Sequence, residues 1–138
     1  IIHIADVTAA AIKQQGLTKV ALLGTQFTMT ENFYKQRLID AGLQVLIPET
    51  GARAEVHRII YEELCQGQLL DSSRQYYQQV TENLADKGAK GVILGCTEIG
   101  LLIQQADSPI PVFDTTAIHA AAVDFFIKFL VLRLVILK

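Results

Sequence analysis

Three short stretches of this chain carry side chains that could do chemistry. The first is Gly95-Cys96-Thr97-Glu98, directly after an apolar run. A thiol beside a hydroxyl and a carboxylate can exchange protons. A cysteine at a helix N-terminus also gains thiolate character from the unpaired amides there, so this reading lowers the Cys96 pKa. The same position equally suits an inert cysteine at a tight turn, since free cysteine is often simply buried. The second stretch is Gly24-Thr25-Gln26-Phe27-Thr28-Met29-Thr30, a glycine and hydroxyls leading into a helix. Such a loop can cradle a small anion on its backbone N–H groups. Thr28 or Thr30 could also be an ordinary cap of that helix. The third is Asp114-Thr115-Thr116, again after an apolar run.

Other reactive types read as structural. Cys65 stands near the end of a helix whose apolar positions include Val56, Ile60 and Leu64, a setting that suppresses its thiolate. His57 lies mid-helix among charged neighbours and reads as solvated. His3, in a strand, and His119, on a helix, read as satisfied interior groups. No Ser/His/Asp order and no paired Cys/His spacing is present, so no metal site is expected. Neither G-x-x-x-x-G-K-[ST] nor G-x-G-x-x-G occurs, which argues against nucleotide binding.

The elements that must position these residues follow from a recurring pattern: a helical stretch, a glycine, then a short apolar run. It appears at Gly16 before Val20-Ala21-Leu22-Leu23, at Gly42 before Val45-Leu46-Ile47, and at Gly88 before Val92-Ile93-Leu94. Glycine past a helix end takes the left-handed conformation that stops it. Continuous apolar runs mark strands buried on both faces, and their alternation with helices predicts a parallel sheet. The expected order is strand 1–4, helix 7–15, strand 19–23, helix 30–41, strand 44–47 and helix 53–65. A helix over 71–87, capped by Asp71 or Ser72, follows. Strand 91–94, a short helix after Cys96, strand 111–113 and a helix from about 115 complete it. The fold class is α/β, a three-layer sandwich on a four- or five-stranded parallel sheet. The three strand-end stretches then fall where open parallel sheets bind ligands.

The 138 residues, 51% hydrophobic and 19% charged, suit one domain with a real core. A net charge of −2 with scattered basic residues excludes a nucleic-acid footprint. Two cysteines make no disulfide framework and no leader is recognisable, so a cytoplasmic protein without a membrane anchor is expected. The chain opens Ile1-Ile2-His3-Ile4 without methionine, in what reads as a buried strand, and further residues are expected ahead of it. Residues 125–138 are apolar apart from Lys128, Arg133 and Lys138, and are fewer than the roughly 20 needed to span a bilayer. They are expected to be a terminal helix or strand packed on something else. A membrane-surface segment or an artefactual tail is the alternative. The division is an α/β lobe over 1–124 and an apolar tail over 125–138.

Two of these stretches, taken together, resemble a known family. The run Gly91-Val92-Ile93-Leu94-Gly95-Cys96-Thr97-Glu98-Ile99 resembles the G-C-T-E-[IL] segment of aspartate/glutamate racemases. Gly24-Thr25-Gln26-Phe27-Thr28-Met29 is similar to the family's G-T-x-x-T-M segment, and Leu22 to Tyr34, Ile60 to Gly67 and Pro111 to His119 are similar as well. The resemblance covers about residues 1–124 and is nearest to broad-specificity enterobacterial types. It implies one lobe of a two-lobed fold with the active site between lobes. Each lobe would supply one cysteine, and the pair would exchange the α-proton of a small amino acid such as aspartate or glutamate. No pyridoxal phosphate or metal is implied. On this resemblance Cys96 is one acid/base, while Thr25, Thr28, Thr97 and Glu98 bind substrate, and a homodimer is expected. The family's other cysteine, in a C-N-T segment of the first lobe, has no counterpart here. The 138-residue chain by itself is therefore expected to be inactive. Gln66 stands where some members carry lysine, and the tail from Phe125 departs from the family's ending. Two further classes fit the same residues: a non-catalytic small-anion-binding module, and a related one-cysteine decarboxylase or isomerase.

Overall fold

In the computed structural model, residues 3–137 are described. Four short strands, β1 (Lys19–Leu23), β2 (Gln44–Leu46), β3 (Val92–Leu94) and β4 (Val112–Asp114), form one all-parallel sheet in the order β2-β1-β3-β4. The expected strand 91–94 begins one residue later. Strand alternation sends Ala21, Leu23, Val92 and Leu94 to one face and Val20, Leu22 and Ile93 to the other. Each face is covered by helices, as parallel strands require.

On the first face lie α4 (Thr50–Glu62) and α5 (Asp71–Asp86), contributing Val56, Ile59, Ile60, Tyr77, Val80 and Leu84. On the second lie α1 (Ile4–Gln14) and α3 (Asn32–Asp40), contributing Ala5, Ala9, Ile12 and Leu38, and the start of α7 (Thr115–Ile136) packs beside them through Ile118. The short α2 (Gln26–Thr30) and α6 (Ile99–Leu102) follow β1 and β3 at the C-terminal edge of the sheet. The anticipated glycines end their helices with φ of 76° at Gly16, 95° at Gly42 and 108° at Gly88. Ile93 lies on a central strand and is completely buried. Ile93→Ala should therefore cost about 2–5 kcal/mol, read as a lowered urea midpoint at unchanged m.

Several expected boundaries are corrected. The strand over 1–4 is not found at His3 and Ile4: His3 is an N-cap whose Nδ1 accepts from the Ala5 amide at 3.1 Å, and Ile4 opens α1. Residues 1 and 2 lie outside the described part. A short apolar run does not distinguish strand from helix, whereas buried Ala5, Thr8, Ala9 and Ile12 follow helical spacing. The helix expected over 30–41 is two helices, because Glu31 takes an extended conformation (φ −79°, ψ 150°) between α2 and α3. Thr25, not Thr28 or Thr30, caps α2, and α3 has no side-chain cap. Neither Asp71 nor Ser72 caps α5; Leu70 holds that position and Asp71 pairs instead with Arg74. After α4 the chain makes a single tight turn over 64–66, and Cys65 there is exposed rather than on an apolar helix face.

One helix spans 115–136, running through the expected limit at 124. From Phe125 to Leu137 its large apolar side chains are exposed, Phe125 by 73% and Ile136 by 70%. No described helix is long and apolar enough to cross a membrane.

Candidate functional site at the sheet switch point

From β1 the chain crosses to β2 on one side of it, and the rest of the sheet, β3 and then β4, lies on the other side. The C-terminal ends of β1 and β3 thus flank the point where the strand order reverses, the usual ligand position in open α/β sheets. The β1 end delivers Gly24 to Met29 and the β3 end delivers Gly95 to Glu98. The two loops meet at glycine. The Gly95 amide donates to Leu23 O at 2.7 Å, and a Cβ at Gly95 would lie 3.2 Å from Thr28 Cγ2 and 3.1 Å from Leu23 O. Absence of that Cβ lets the threonine loop lie against the base of the cysteine loop.

Within the first loop, Thr25 Oγ1 accepts from the Thr28 amide at 3.3 Å and lies 3.1 Å from Thr28 Oγ1. The two hydroxyls thus form one polar pair. The cradle expected here is partly filled by the protein itself, because the first amide of α2, on Gln26, donates to His57 Nδ1 at 2.8 Å. His57 is therefore not simply solvated: it belongs to the loop's support. Sequence reasoning missed it because the contact spans 31 positions and no local pattern marks it.

In the second loop, Cys96 is half-buried against the core that holds Met29, Tyr77 and Ile99. Its Sγ–H donates to Glu98 Oε2 at 2.8 Å. The expected lowering of the thiol pKa is overturned. Burial first, and the Glu98 hydrogen bond second, push Cys96 up to about 12. The helix that was to favour the thiolate begins only at Ile99 and is four residues long, so its dipole is weak and three positions away. Backbone hydrogen bonds at Glu98 and Ile99 pull the other way but do not outweigh burial. The same hydrogen bond holds the Glu98 carboxyl below its usual range, with Thr97 adding to the effect. Cys96 thus rests as a neutral thiol on an ionised carboxylate.

Thr97 is exposed, as are Gln26 and Phe27 across the shelf. The third stretch is structural here. Asp114 caps α7 through the Thr116 and Ala117 amides, and Thr115 Oγ1 donates to Leu94 O at 2.8 Å. A cavity of about 350 Å³ between α4 and α5 is lined by Pro48, Glu49, Val80 and Lys87 and includes none of the expected site residues. A smaller one of about 240 Å³, lined by Leu94, Gly100 and Asp114, also leaves out Cys96 and both threonines. Around Cys96 the surface is open at Thr97, Gln26 and Phe27, with Thr25, Thr28 and Glu98 half-buried between them. Among the described residues, no three His, Cys, Asp or Glu side chains gather where they could hold a metal.

Comparison with known proteins agrees with this fold. A candidate Asp/Glu racemase of Yersinia pestis superposes with a TM-score of 0.85 at 52% identity, over 89% of this chain and 54% of that one. An aspartate racemase homologue from Pyrococcus horikoshii OT3 gives a TM-score of 0.84 at 38% identity, over 91% of this chain and 55% of its own. An uncharacterised protein of Pectobacterium carotovorum subsp. carotovorum is 31% identical over 104 residues, 75% of this chain and 68% of that protein. The chain thus spans about half the length of the two solved structures. The sequence profile described as Asp/Glu/Hydantoin racemase matches residues 1–123, which takes in both strand-end loops and the whole sheet. With that match and those folds, the chain belongs to the Asp/Glu/hydantoin racemase family.

Proposed function

We propose that this chain is the second-lobe half of a cofactor-independent amino-acid racemase, acting on aspartate, glutamate or a similar small amino acid. The observation that carries the reading is the Cys96–Glu98 pair at the sheet switch point, a proton held between sulfur and carboxylate at 2.8 Å. A resting thiol is the proton donor. Cys96 delivers its proton to the α-carbon on one face as a base on the opposite face removes the substrate's α-proton. The sulfur is left as thiolate, which makes Cys96 the base for the reverse direction. Glu98 stands beside the sulfur to receive the α-ammonium group, and the Thr25–Thr28 hydroxyl pair with Thr97 offers donors to a carboxylate. Neither pyridoxal phosphate nor a metal takes part in this scheme. The opposing base comes from a first lobe, in keeping with a chain half as long as the folds it matches.

The test is solvent-deuterium incorporation at Cα of aspartate and glutamate by a protein that joins this chain to a first lobe bearing its own cysteine. Exchange and inversion are expected, with Cys96→Ser lowering the inversion rate by at least about a hundredfold. Exchange of neither amino acid, with the thiol intact, would refute the assignment. The apolar surface of α7 beyond Phe125 favours a homodimer of this chain. Sedimentation should show concentration-dependent dimers that vanish when residues 125–138 are removed.

A further inference from the structure

His57 lies one turn before Tyr61 on α4, yet its bonding is to another element. Its Nδ1 accepts from the Gln26 amide, so the ring is the tautomer with its proton on Nε2. The Tyr61 ring centroid is 4.7 Å from that of the imidazole at an interplanar angle of 41°, which restricts rotation of the ring. Gln26 is the first residue of α2, a helix of five residues. A helix so short is not stable alone and depends on tertiary ties. Three ties are visible: Met29 buried in the core, Thr28 packed at Gly95 on the sheet side, and His57 on the α4 side, the last being the one that holds the first residue of the helix. Between the last two lies the Thr25–Thr28 hydroxyl pair.

We propose that His57 is a positioning residue, holding the Thr25–Thr28 loop in the conformation that presents both hydroxyls to a ligand carboxylate beside Cys96. The proposal rests on the substrate-binding reading of that loop. The tie is exposed to solvent, so its loss leaves the Gln26 amide hydrated, at little cost to global stability. What it removes is local order. An Asn side chain also offers an acceptor oxygen, whereas Ala offers none.

Amide hydrogen exchange and titration with L-aspartate or L-glutamate, both followed by NMR on the 138-residue chain, test the proposal. In His57→Ala, exchange at Gln26, Phe27 and Thr28 should rise about fivefold and the apparent Kd for the amino acid should weaken by a similar factor. The urea midpoint should hold, and His57→Asn should restore both readouts. Unchanged exchange in His57→Ala overturns the proposal. So does a uniform rise across the sheet amides, which marks a merely structural role. If the loop loosens as expected but neither amino acid shifts the Thr25 and Thr28 signals in the unsubstituted chain, the substrate-binding reading falls. His57 then remains only a support of the loop.

Discussion

At pH 8 a disulfide reagent should modify Cys65 of the folded chain roughly 50-fold faster than Cys96, as mass-resolved labelling would show. Cys65 is exposed on the tight turn after α4. Cys96 is half-buried, gives its proton to Glu98, and is pushed up to about 12 from an ordinary 9.0. At pH 8 such a thiol carries about a thousandfold less thiolate than an unperturbed one, and the thiolate is the nucleophile. A sulfur of higher pKa attacks faster once ionised, which recovers part of that deficit and leaves the stated lag. The sign follows directly: Cys96 labelling should climb steadily as pH rises towards 12. Glu98→Gln removes the charge that holds the proton but leaves the burial, so it should speed Cys96 several-fold without reaching the Cys65 rate. Earlier labelling of Cys96 than Cys65 at pH 8, or a slower Cys96 in Glu98→Gln, would show that the pair is not as described.

Purified as 138 residues, the chain should produce no measurable D-aspartate from L-aspartate, and no D-glutamate from L-glutamate. Inversion needs proton transfer on both faces of one carbon, with each partner within about 3 Å or one water. The described shelf offers one such group, Cys96. Its sides are open, with Thr97 and Phe27 exposed, so water would screen whatever help the hydroxyls give to the developing charge. Chiral chromatography after long incubation checks this. Steady inversion that disappears in Cys96→Ser would mean that one lobe suffices.

Much of the architecture was legible because its signals are local. The three glycines that end α1, α3 and α5 announce the strands after them, and the buried strands read as unbroken apolar runs. The strand assigned over 1–4 failed because Ile1-Ile2-His3-Ile4 is too short for either period to show. The expected helix over 30–41 hid a break at Glu31, since Thr25 caps α2 three residues ahead of Thr28 and five ahead of Thr30, where capping was expected. The positions of Cys96, Thr25 and Thr28 were legible for the same local reason: they follow strands. The state of Cys96 was not. It depends on a core assembled from elsewhere in the chain, in which Tyr77 of α5 stands close to Cys96. The part played by His57 was hidden likewise, in a hydrogen bond to an element far away in sequence.

The order of the sheet also governs when the site can exist during folding. β1 and β2 pair across a short connection, Lys19 with Gln44, with α2 and α3 between them. β1 and β3 pair Ala21 with Val92, about seventy residues further along. Closing that longer loop costs more chain entropy and brings α4 and α5 with it, so the central pairing is expected to follow the β1–β2 pairing. The threonine loop rides on β1 and the cysteine loop on β3, and Gly95 donates to Leu23 O directly above their ladder. A chain halted before β3 docks would have Thr25 and Thr28 following β1, but neither Gly95 packed against Thr28 nor Cys96 beside them.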